Sequence, residues 1–339
     1  MMGDTKHTIL SQFKKVPGSR ALSGDAGIEI PLPSSNGAFQ GKMVSVFPGG
    51  GLLLNIIDIR SASIPDCLSK PDAAARRLKV NFCAKGRCEL ETKSRKCTFL
   101  TAGEIAIDAG QTYETYFYPT EEYLGFELIG YIDGLDGDAD APKIPAMDDL
   151  FDRCTASEHP WIRNAGKHLA DFYDVFKFYL DRDLGHDLVF LKCAELLTCL
   201  SRIDFESTQL ARTYYYTPSK MEIAKRARSI IMSDLSVRHT AKSLADRFGV
   251  SETSLKNYFK SVYGCGYAEF QHDMRMKKAA ELLRESNDRI ADISAAVGFA
   301  TQAKFGVAFK NRFGSTPLEY RRMDRLNSKE VEERVDIER

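Results

Sequence analysis

The sequence predicts a two-domain α+β protein, with an N-terminal β-sandwich or small barrel, a set of helices, and a C-terminal all-α domain built from two helix-turn-helix units. Three observations predict this arrangement. Residues 28–131 form short apolar segments separated by turn residues, a helical period begins near residue 148, and one helix-turn-helix pattern occurs twice, at 244–264 and 293–314. A chain of 339 residues is also too long for a single ordinary core, so two domains are expected.

The N-terminal domain is expected at residues 1–145 and contains the strand-like segments. They read KMVSVF, LLLNIIDIR, LKVNFCAKGRCELET, KCTFLTAGEIAID, YETYFY and EYLGFELIGYI. Many short β-branched or aromatic segments with turns between them are typical of an antiparallel sandwich or small barrel. Gly86 is predicted to form a hairpin turn, because glycine tolerates positive φ. A stretch rich in Gly, Asp and Pro at 133–146 ends the region.

A helical region is expected at residues 146–212. The apolar faces of its two predicted helices consist of Leu169, Phe172, Tyr173 and Phe176 in the first and of Leu188, Leu191, Ala194 and Leu197 in the second. Such faces pack either against the β-domain or against a second subunit, and we expect a homodimer. Residues 213–220 look like a linker, in which Pro218 precedes a new helix and Ser219 forms a capping box with Glu222.

Charge is distributed unevenly along the chain although the formal net charge is zero. Residues 215–325 contain 20 Lys and Arg against 12 Asp and Glu, and the remainder contains 27 against 35. A basic domain joined to an acidic one suggests that the basic part faces nucleic acid.

The sequence offers no membrane-spanning or export segment, so we expect a cytoplasmic protein with no membrane partner. The longest apolar stretches, such as GLLLNII, are far shorter than the roughly 18–20 residues of a membrane helix. The first residues, MMGDTKHTILSQFKK, lack an apolar segment followed by a small-residue cleavage site.

The eight cysteines are expected to be free thiols. No pair has C-x-x-C spacing, and the residues are scattered over Cys67, Cys83, Cys88, Cys97, Cys154, Cys193, Cys199 and Cys265. Cys83, Cys88 and Cys97 are close enough in sequence that a redox or soft-metal role stays open as an alternative.

The two helix-turn-helix segments are an internal duplication. Leu244, Phe248 and Gly249 match Ile293, Val297 and Gly298 at a separation of 49, and Leu255, Phe259, Lys260, Gly264, Glu269 and Phe270 match Phe305, Phe309, Lys310, Gly314, Glu319 and Tyr320 at 50. One inserted residue at the turn explains the change of separation, so the match is a true repeat.

Each copy has the signals of a helix, a tight turn and a second helix. Gly249 and Gly298 are predicted to end the first helix of each copy in the left-handed region. Ser251 and Thr301 are predicted to cap the second helix. The inward positions of the second helices are Leu255, Phe259, Val262, Phe305 and Phe309, and the outward positions are Thr253, Lys256, Asn257, Lys260, Gln302, Lys304 and Lys310. Asn, Gln and Lys side chains suit base edges and phosphates.

The separation of the copies fits the repeat of the major groove. Residues 268–287 form a near-continuous helix of 20 residues between them, about 30 Å long. Neighbouring major grooves on one face of B-DNA recur at roughly 34 Å. One chain can therefore place two recognition helices in successive grooves, with modest bending of the duplex.

Residues 219–323 resemble the AraC/XylS family of bacterial transcription regulators. The motifs are SLADRFGVSETSLKNYFKSVYG, YAEFQHDMRMKKAAELL, and IADISAAVGFATQAKFGVAFKNRFGSTPLEYRR, with the ending from Phe313 to Arg322 the most specific. The resemblance implies a cupin-like N-terminal barrel that binds a small effector, helices that dimerise, and control of transcription beside RNA polymerase. It also implies a DNA-binding domain at 213–325, followed by a charged tail at 326–339.

The resemblance places the base contacts of the first recognition helix at Thr253, Lys256 and Asn257. In the second helix they fall on Gln302, Ala303, Lys304 and Val307. The full set predicted to contact double-stranded DNA is Ser251, Thr253, Ser254, Lys256, Asn257, Lys260, Thr301, Gln302, Ala303, Lys304, Val307 and Lys310. The stretch from Gly306 to Ala308 departs from the polar or basic pattern of many relatives. We therefore expect the second unit to depend more on shape and phosphate contacts than on base readout.

The N-terminal half shows no catalytic, metal or cofactor motif, so no enzyme activity is expected. No histidine lies between His7 and His159, which leaves the β-domain without His ligands for a metal. A hollow interior would be lined by alternate residues such as Val80, Phe82, Phe126 and Leu128 and would hold an unidentified effector, but most of these residues are expected to be ordinary core. Three alternatives stay open: a thiol-responsive regulator, a constitutive regulator, and an enzyme with a DNA-binding tail.

Overall fold

The computed structural model describes most of the chain as two compact units, Met1–Pro218 and Ser219–Arg339. The described residues are 6–22, 27–34, 39–64, 75–91, 96–109, 117–135, 142–157, 159–205 and 216–324. The predicted charged tail, Cys67 and most of the segment YETYFY lie outside them.

The first unit is built on one antiparallel sheet, as the strand-like segments predict. In the described part its strands are β1 (Arg20–Ala21), β2 (Gly27–Pro33), β3 (Phe39–Gly49), β4 (Leu52–Ile59), β5 (Arg77–Glu91), β6 (Cys97–Thr101), β7 (Glu104–Ala109), β8 (Tyr123–Tyr131) and β9 (Trp161–Asn164). The strand order is β1-β2-β3-β4-β8-β5-β7-β9, with β6 paired to β5. The short strands β1 and β9 lie outside the region in which the sequence predicts strands.

The predicted hairpin turn at Gly86 is wrong. The strand β5 continues through this residue, which has φ of +89° and lies next to a shift in register against β8. A Cβ atom at position 86 would collide with the backbone carbonyl of Glu122. The glycine therefore allows two strands to approach closely at a bulge, where the sequence suggests a reversal of the chain.

Within the described residues, four helices accompany the sheet: α1 (Lys6–Phe13), α2 (Pro145–Thr155), α3 (Gly166–Asp181) and α4 (His186–Ser201). The last three cover one face of the sheet, where Phe126 packs edge-on against Phe176 at a centroid distance of 5.3 Å. The first helix covers the other face, where Ile9 and Phe13 pack among the apolar residues of β2, β3 and β4. Both faces of the sheet are therefore buried.

The alternate residues named for the β-domain interior are ordinary core, as expected for most of them. Val80, Phe82, Phe126 and Leu128 all belong to the core between the sheet and helices α2 to α4. The opposite face of the same strands carries polar residues such as Lys79 and Glu127. Apolar alternation does not distinguish the two faces when both are covered.

The apolar face of α3 is confirmed, and that predicted for α4 is largely wrong. Leu188 and Leu191 are 41% and 61% exposed. The buried residues of α4 are Val189, Cys193, Leu196, Leu197 and Leu200, of which the sequence pattern identifies only Leu197. The helix is apolar on two sides, so the period alone selects the wrong one.

The second unit is all-helical, as predicted. Its helices are α5 (Pro218–Ser233), α6 (Ala241–Phe248), α7 (Glu252–Tyr263), α8 (Tyr267–Glu285), α9 (Ile290–Ala296) and α10 (Gln302–Phe313), followed by helical residues 317–324. Helix α5 begins at Pro218 itself, so Ser219 lies inside its first turn and the predicted cap at Ser219 is wrong. Proline is favoured at the first helical position because it has no N–H to leave unpaired.

The two copies have the same aromatic core, which confirms the duplication. In the first copy the ring of Phe259 lies 4.6 Å from Tyr263 and 5.4 Å from Phe270. In the second copy the corresponding ring, Phe309, lies 4.5 Å from Phe313 and 5.3 Å from Tyr320.

Alanine substitution of the two turn glycines tests this core. Gly249 and Gly298 have φ of +65° and +75°. A Cβ atom at 249 has open space, whereas one at 298 collides with the carbonyl of Ser236 and the guanidinium of Arg275. We expect Gly249→Ala to lower the free energy of unfolding by about 1 kcal/mol, through φ alone. Gly298→Ala should lower it by about 2–3 kcal/mol.

Denaturation of the full chain, followed by far-ultraviolet circular dichroism, measures the difference between these variants. The single tryptophan, Trp161, lies in the first unit, so its fluorescence serves as an internal control that should not change. Equal losses for the two variants would contradict the collision at Gly298.

Candidate nucleic-acid interface

The first helix-turn-helix unit consists of α6, a glycine turn and α7. A capping box between Thr240 and Ser243 starts α6. Gly249 ends it in the left-handed region, as predicted. Ser251 then accepts a hydrogen bond from the backbone N–H of Ser254 at 3.1 Å, which confirms it as the cap of α7.

The second unit, α9 and α10, repeats this geometry with one difference at the turn. Helix α9 is capped at Val297, and Gly298 follows in the left-handed region. Thr301 accepts a hydrogen bond from the backbone N–H of Lys304 at 3.3 Å, so the predicted cap of α10 is confirmed.

Each second helix has one buried and one exposed face. The buried residues are Leu255 and Phe259 in α7 and Phe305 and Phe309 in α10. The predicted contact residues with exposed side chains are Ser251, Thr253, Lys256, Asn257, Lys260, Thr301, Gln302, Ala303, Lys304, Val307 and Lys310, and Ser254 is half-buried at the cap. Lys256 forms an ion pair with Glu252 at 3.3 Å, which is exposed and therefore weak.

Helix α8 joins the two units over 19 residues, or about 28 Å. The predicted connecting helix at 268–287 is confirmed, with each end displaced by one or two residues. This helix packs against both helix-turn-helix units. Phe270 packs against the rings of the first of them, and the core of the second includes Met276, Ala279, Ala280 and Leu283. Because one helix contributes to both cores, it fixes the distance between them.

Arg275 links the loop before α6 to the turn between α9 and α10 of the second helix-turn-helix unit. Its Nε donates a hydrogen bond to the carbonyl of Leu235 at 2.7 Å, and its two terminal nitrogens donate to Val237 at 3.0 Å and Gly298 at 3.3 Å. Gln271, one turn earlier, also donates to Val237, at 2.8 Å. Burial lowers the pKa of the Arg275 guanidinium, with a smaller contribution from Arg238.

Asp273, on the same helix, accepts a hydrogen bond from Arg312 of α10 at 2.8 Å. It also lies 3.4 Å from Lys277. Sequence reasoning misses Asp273 and Arg275, because charged residues on a long helix give no sign of whether they face solvent or a neighbouring turn.

Comparison with known proteins agrees with this geometry. A family model described as a helix-turn-helix domain matches residues 244–323. A protein described as "Probable transcription factor PqrA", from Proteus vulgaris, is 35% identical over 79 residues, which are 23% of this chain and 65% of that protein. A protein described as an AraC-like transcription regulator, from Streptomyces lividans, is 37% identical over 83 residues, which are 24% of this chain and 27% of that protein. The helix-turn-helix domain of this chain is therefore of the AraC type.

Among solved structures, the C-terminal domain of AraT, a response regulator from Geobacillus stearothermophilus, shares 36% identity with the matched part of this chain. The match covers 30% of this chain and 84% of that one, with a TM-score of 0.29. The chain spans less than two thirds of the length of the two curated relatives named above.

The first unit, Met1–Pro218, contains a cavity of about 80 Å³ on the face of its sheet that helix α1 covers. Apolar residues of α1, β3 and β4 form much of its wall. The polar part of the wall consists of Gln12, Asn55, Arg77, Lys79, Asn81 and Glu127, together with three tyrosines, Tyr118, Tyr123 and Tyr131. This polar wall is not apparent from the sequence, because the polar residues alternate along each strand with apolar residues of the core on the other face.

The polar wall contains a chain of hydrogen bonds that crosses neighbouring strands. The Ser45 hydroxyl donates to Asn55 at 2.7 Å, and the Asn55 amide donates to Glu127 at 3.1 Å. Lys79 follows on the next strand, with its ammonium 3.7 Å from the Glu127 carboxylate. All four side chains are buried, so the chain satisfies groups that would otherwise be costly to remove from water.

The thiols near this cavity are protonated at neutral pH. Burial raises the pKa of Cys83 to about 12, with a further increase from Glu104. Burial also raises the pKa of Cys88 well above its ordinary value, and Cys97 is buried as well. Every cysteine that the structure describes is a free thiol, as predicted. A thiol-responsive mechanism requires the thiolate form, which burial disfavours here.

Two further features, metal ligands and membrane-spanning helices, concern the described residues only. No group of three or more His, Cys, Asp and Glu is placed there to hold a metal ion. Nor does that part of the chain contain a helix with the length and apolar character needed to cross a bilayer.

Substitution of Arg275 tests the link between the two helix-turn-helix units. We expect Arg275→Ala to lower the free energy of unfolding of the C-terminal unit by about 2 kcal/mol, because partly buried carbonyls lose charged donors. Arg275→Lys should recover only part of this loss, since an ammonium lacks the planar fork. Circular dichroism during denaturation of the full chain measures both.

Lys277→Ala is the matched control on the same helix. It removes only an exposed ion pair and should cost less than about 1 kcal/mol. A loss as large as that of Arg275→Ala would contradict the role of the carbonyl contacts.

Proposed function

We propose that this protein is a sequence-specific DNA-binding transcription regulator. Each subunit reads two adjacent major-groove segments, and a small effector in the first unit controls binding. The observation that carries the proposal is the pair of exposed recognition helices joined by α8. Regulation beside RNA polymerase, which the family implies, is part of the proposal.

The length of the helix that joins the two helix-turn-helix units supports binding to two neighbouring grooves. The connecting helix is about 28 Å long, and neighbouring grooves on one face of B-DNA recur at roughly 34 Å. The difference is small enough that modest bending brings both grooves within reach, at a cost of order a few kcal/mol. The net positive charge of residues 215–325 favours the phosphate backbone.

The exposed residues of α7 have the chemistry of direct readout. Asn257 is exposed in the middle of the helix and presents both a donor and an acceptor, as adenine requires in the major groove. Thr253 lies one turn earlier on the same face, and Lys256 and Lys260 flank the pair. Lys310, at the position of α10 that matches Lys260, is exposed and suits a phosphate contact.

The inner cavity is the proposed effector site. Its wall combines apolar side chains with buried cations, an anion and amides, so it suits a small amphipathic metabolite with a polar head that forms hydrogen bonds. The effector acts only if its affinity differs between two arrangements of the protein.

Helices α3 and α4 supply the proposed homodimer surface. Phe178, Leu184, Leu188 and Leu191 are between 41% and 61% exposed. Large apolar side chains grouped on one helical hairpin are typical of a protein–protein contact.

Two substitutions separate base readout from phosphate contact. Asn257→Ala should lose discrimination at one base position by about 1–3 kcal/mol, because its paired hydrogen bonds are specific. Lys310→Ala should weaken binding to all sequences alike and reduce the salt slope by about one unit, because it removes one phosphate neutralisation. Binding titrations of the full chain at several salt concentrations measure both. Equal losses that do not depend on salt would refute this division of roles.

A screen of metabolites by thermal shift on the full chain tests the effector site. A ligand of the cavity should raise the melting temperature, because it binds the folded state alone. Glu127→Gln, which keeps the shape and removes the charge, should reduce that shift. Lys42→Ala, on an exposed ion pair of the same sheet, should leave it unchanged. An unchanged shift in Glu127→Gln would exclude the cavity as the site.

A further inference from the structure

The two recognition helices differ in the chemistry of their most exposed positions. At the separation of 50 residues, Thr253 and Asn257 of α7 correspond to Ala303 and Val307 of α10. All four are exposed, and Val307 is 64% exposed. The same two places therefore carry polar groups in one copy and apolar groups in the other.

Ala303 and Val307 form one continuous apolar strip. Residues four apart lie on the same face of a helix, one turn above the other. Gly306, which corresponds to Lys256, adds no side chain beside the strip, and a Cβ atom there would meet nothing within 4 Å. The strip is therefore open and flat on one side.

Polar side chains surround this strip. Gln302 precedes it, Lys304 lies between its two residues in the sequence and Lys310 follows it, and all three are exposed. The cation of Arg312 is turned aside to Asp273. An apolar strip between exposed cations fits a surface that is anionic at its edges and apolar at its centre.

The major groove presents one such apolar group, the C5-methyl of thymine. Phosphates line both edges of the groove, and the other exposed atoms of the base pairs are hydrogen-bond donors and acceptors. A valine or alanine side chain forms no hydrogen bond to these atoms but makes good contact with a methyl group.

We propose that Ala303 and Val307 recognise thymine methyl groups in the major-groove segment bound by the second helix-turn-helix unit. Thr253 and Asn257 read polar base edges in the segment bound by the first helix-turn-helix unit. This inference rests on the proposed DNA-binding function. It differs from the sequence-based expectation for the second unit, because the strip provides base readout in addition to phosphate contacts and shape.

Replacement of thymine by deoxyuridine tests the inference, because it removes the methyl group and keeps the base-pair hydrogen bonds. Duplexes are first selected from a randomised pool with the full chain, and each thymine is then replaced in turn. We expect each replacement of a contacted thymine in the DNA segment bound by the second helix-turn-helix unit to weaken binding about fourfold. This figure follows from a free energy of about 0.8 kcal/mol for each buried carbon, since about 1.4 kcal/mol changes the affinity tenfold.

Two variants assign the effect to the strip. Val307→Ala removes two methyl groups from the strip, so it should weaken binding to the thymine-containing duplex and reduce the deoxyuridine effect at one position. Asn257→Ala, at the corresponding place in the first unit, should keep the full deoxyuridine effect. Val307 is exposed and alanine favours helix, so the variant is expected to fold.

The outcomes distinguish the two levels of the proposal. Sequence-specific binding without any deoxyuridine effect would overturn the methyl readout and leave the DNA-binding function standing. The same holds if Val307→Ala retains the full effect. Failure of the full chain to select any sequence would overturn the proposed function, and the inference with it.

Discussion

The packing of the C-terminal helical unit depends on the guanidinium of Arg275 on helix α8. Arg275 donates hydrogen bonds to carbonyls of the loop before α6 and to that of Gly298 in the other helix-turn-helix turn. These carbonyls come from segments far apart in sequence, and the planar fork orients them together. Helix α8 packs into the aromatic cores of both helix-turn-helix units, and Arg275 adds hydrogen bonds to the segments on either side of it. The spacing of the two recognition helices, on which the proposed DNA binding depends, therefore follows from this one connecting helix and the side chains that it carries.

The duplicated cores explain how two equal folds carry unequal surfaces. Phe259, Tyr263 and Phe270 in one copy and their counterparts in the other hold nearly the same ring distances. The interior of each unit is thus satisfied by its own aromatic contacts. Outward positions such as 257 and 307 make no contribution to that core and vary in chemistry without loss of fold.

The sequence predicts the second unit far better than the first, and the reason is burial. In the second unit one face of each recognition helix is solvent-exposed, so apolar period, turn glycines and caps such as Ser251 all agree with the structure. In the first unit both faces of strands like β8 are buried, and the one-residue phase between Phe126 and Glu127 is not decided by alternation. Helix α4 is apolar on two sides, and its period selects the side on which Leu188 and Leu191 are exposed. Gly86 supports a bulge where its sequence context suggests a turn. The contacts of Arg275 depend on tertiary packing that no local pattern encodes.

The absence of a side chain at Gly306 has an evolutionary consequence. The position lies on the outer side of α10 with open space around it, and its backbone is ordinary helix. Most other residues would extend from the helix there without displacing an atom of the protein, and would also strengthen the helix. In the proposed complex with DNA, one codon change at this position would therefore add a contact with no compensating change elsewhere in the chain.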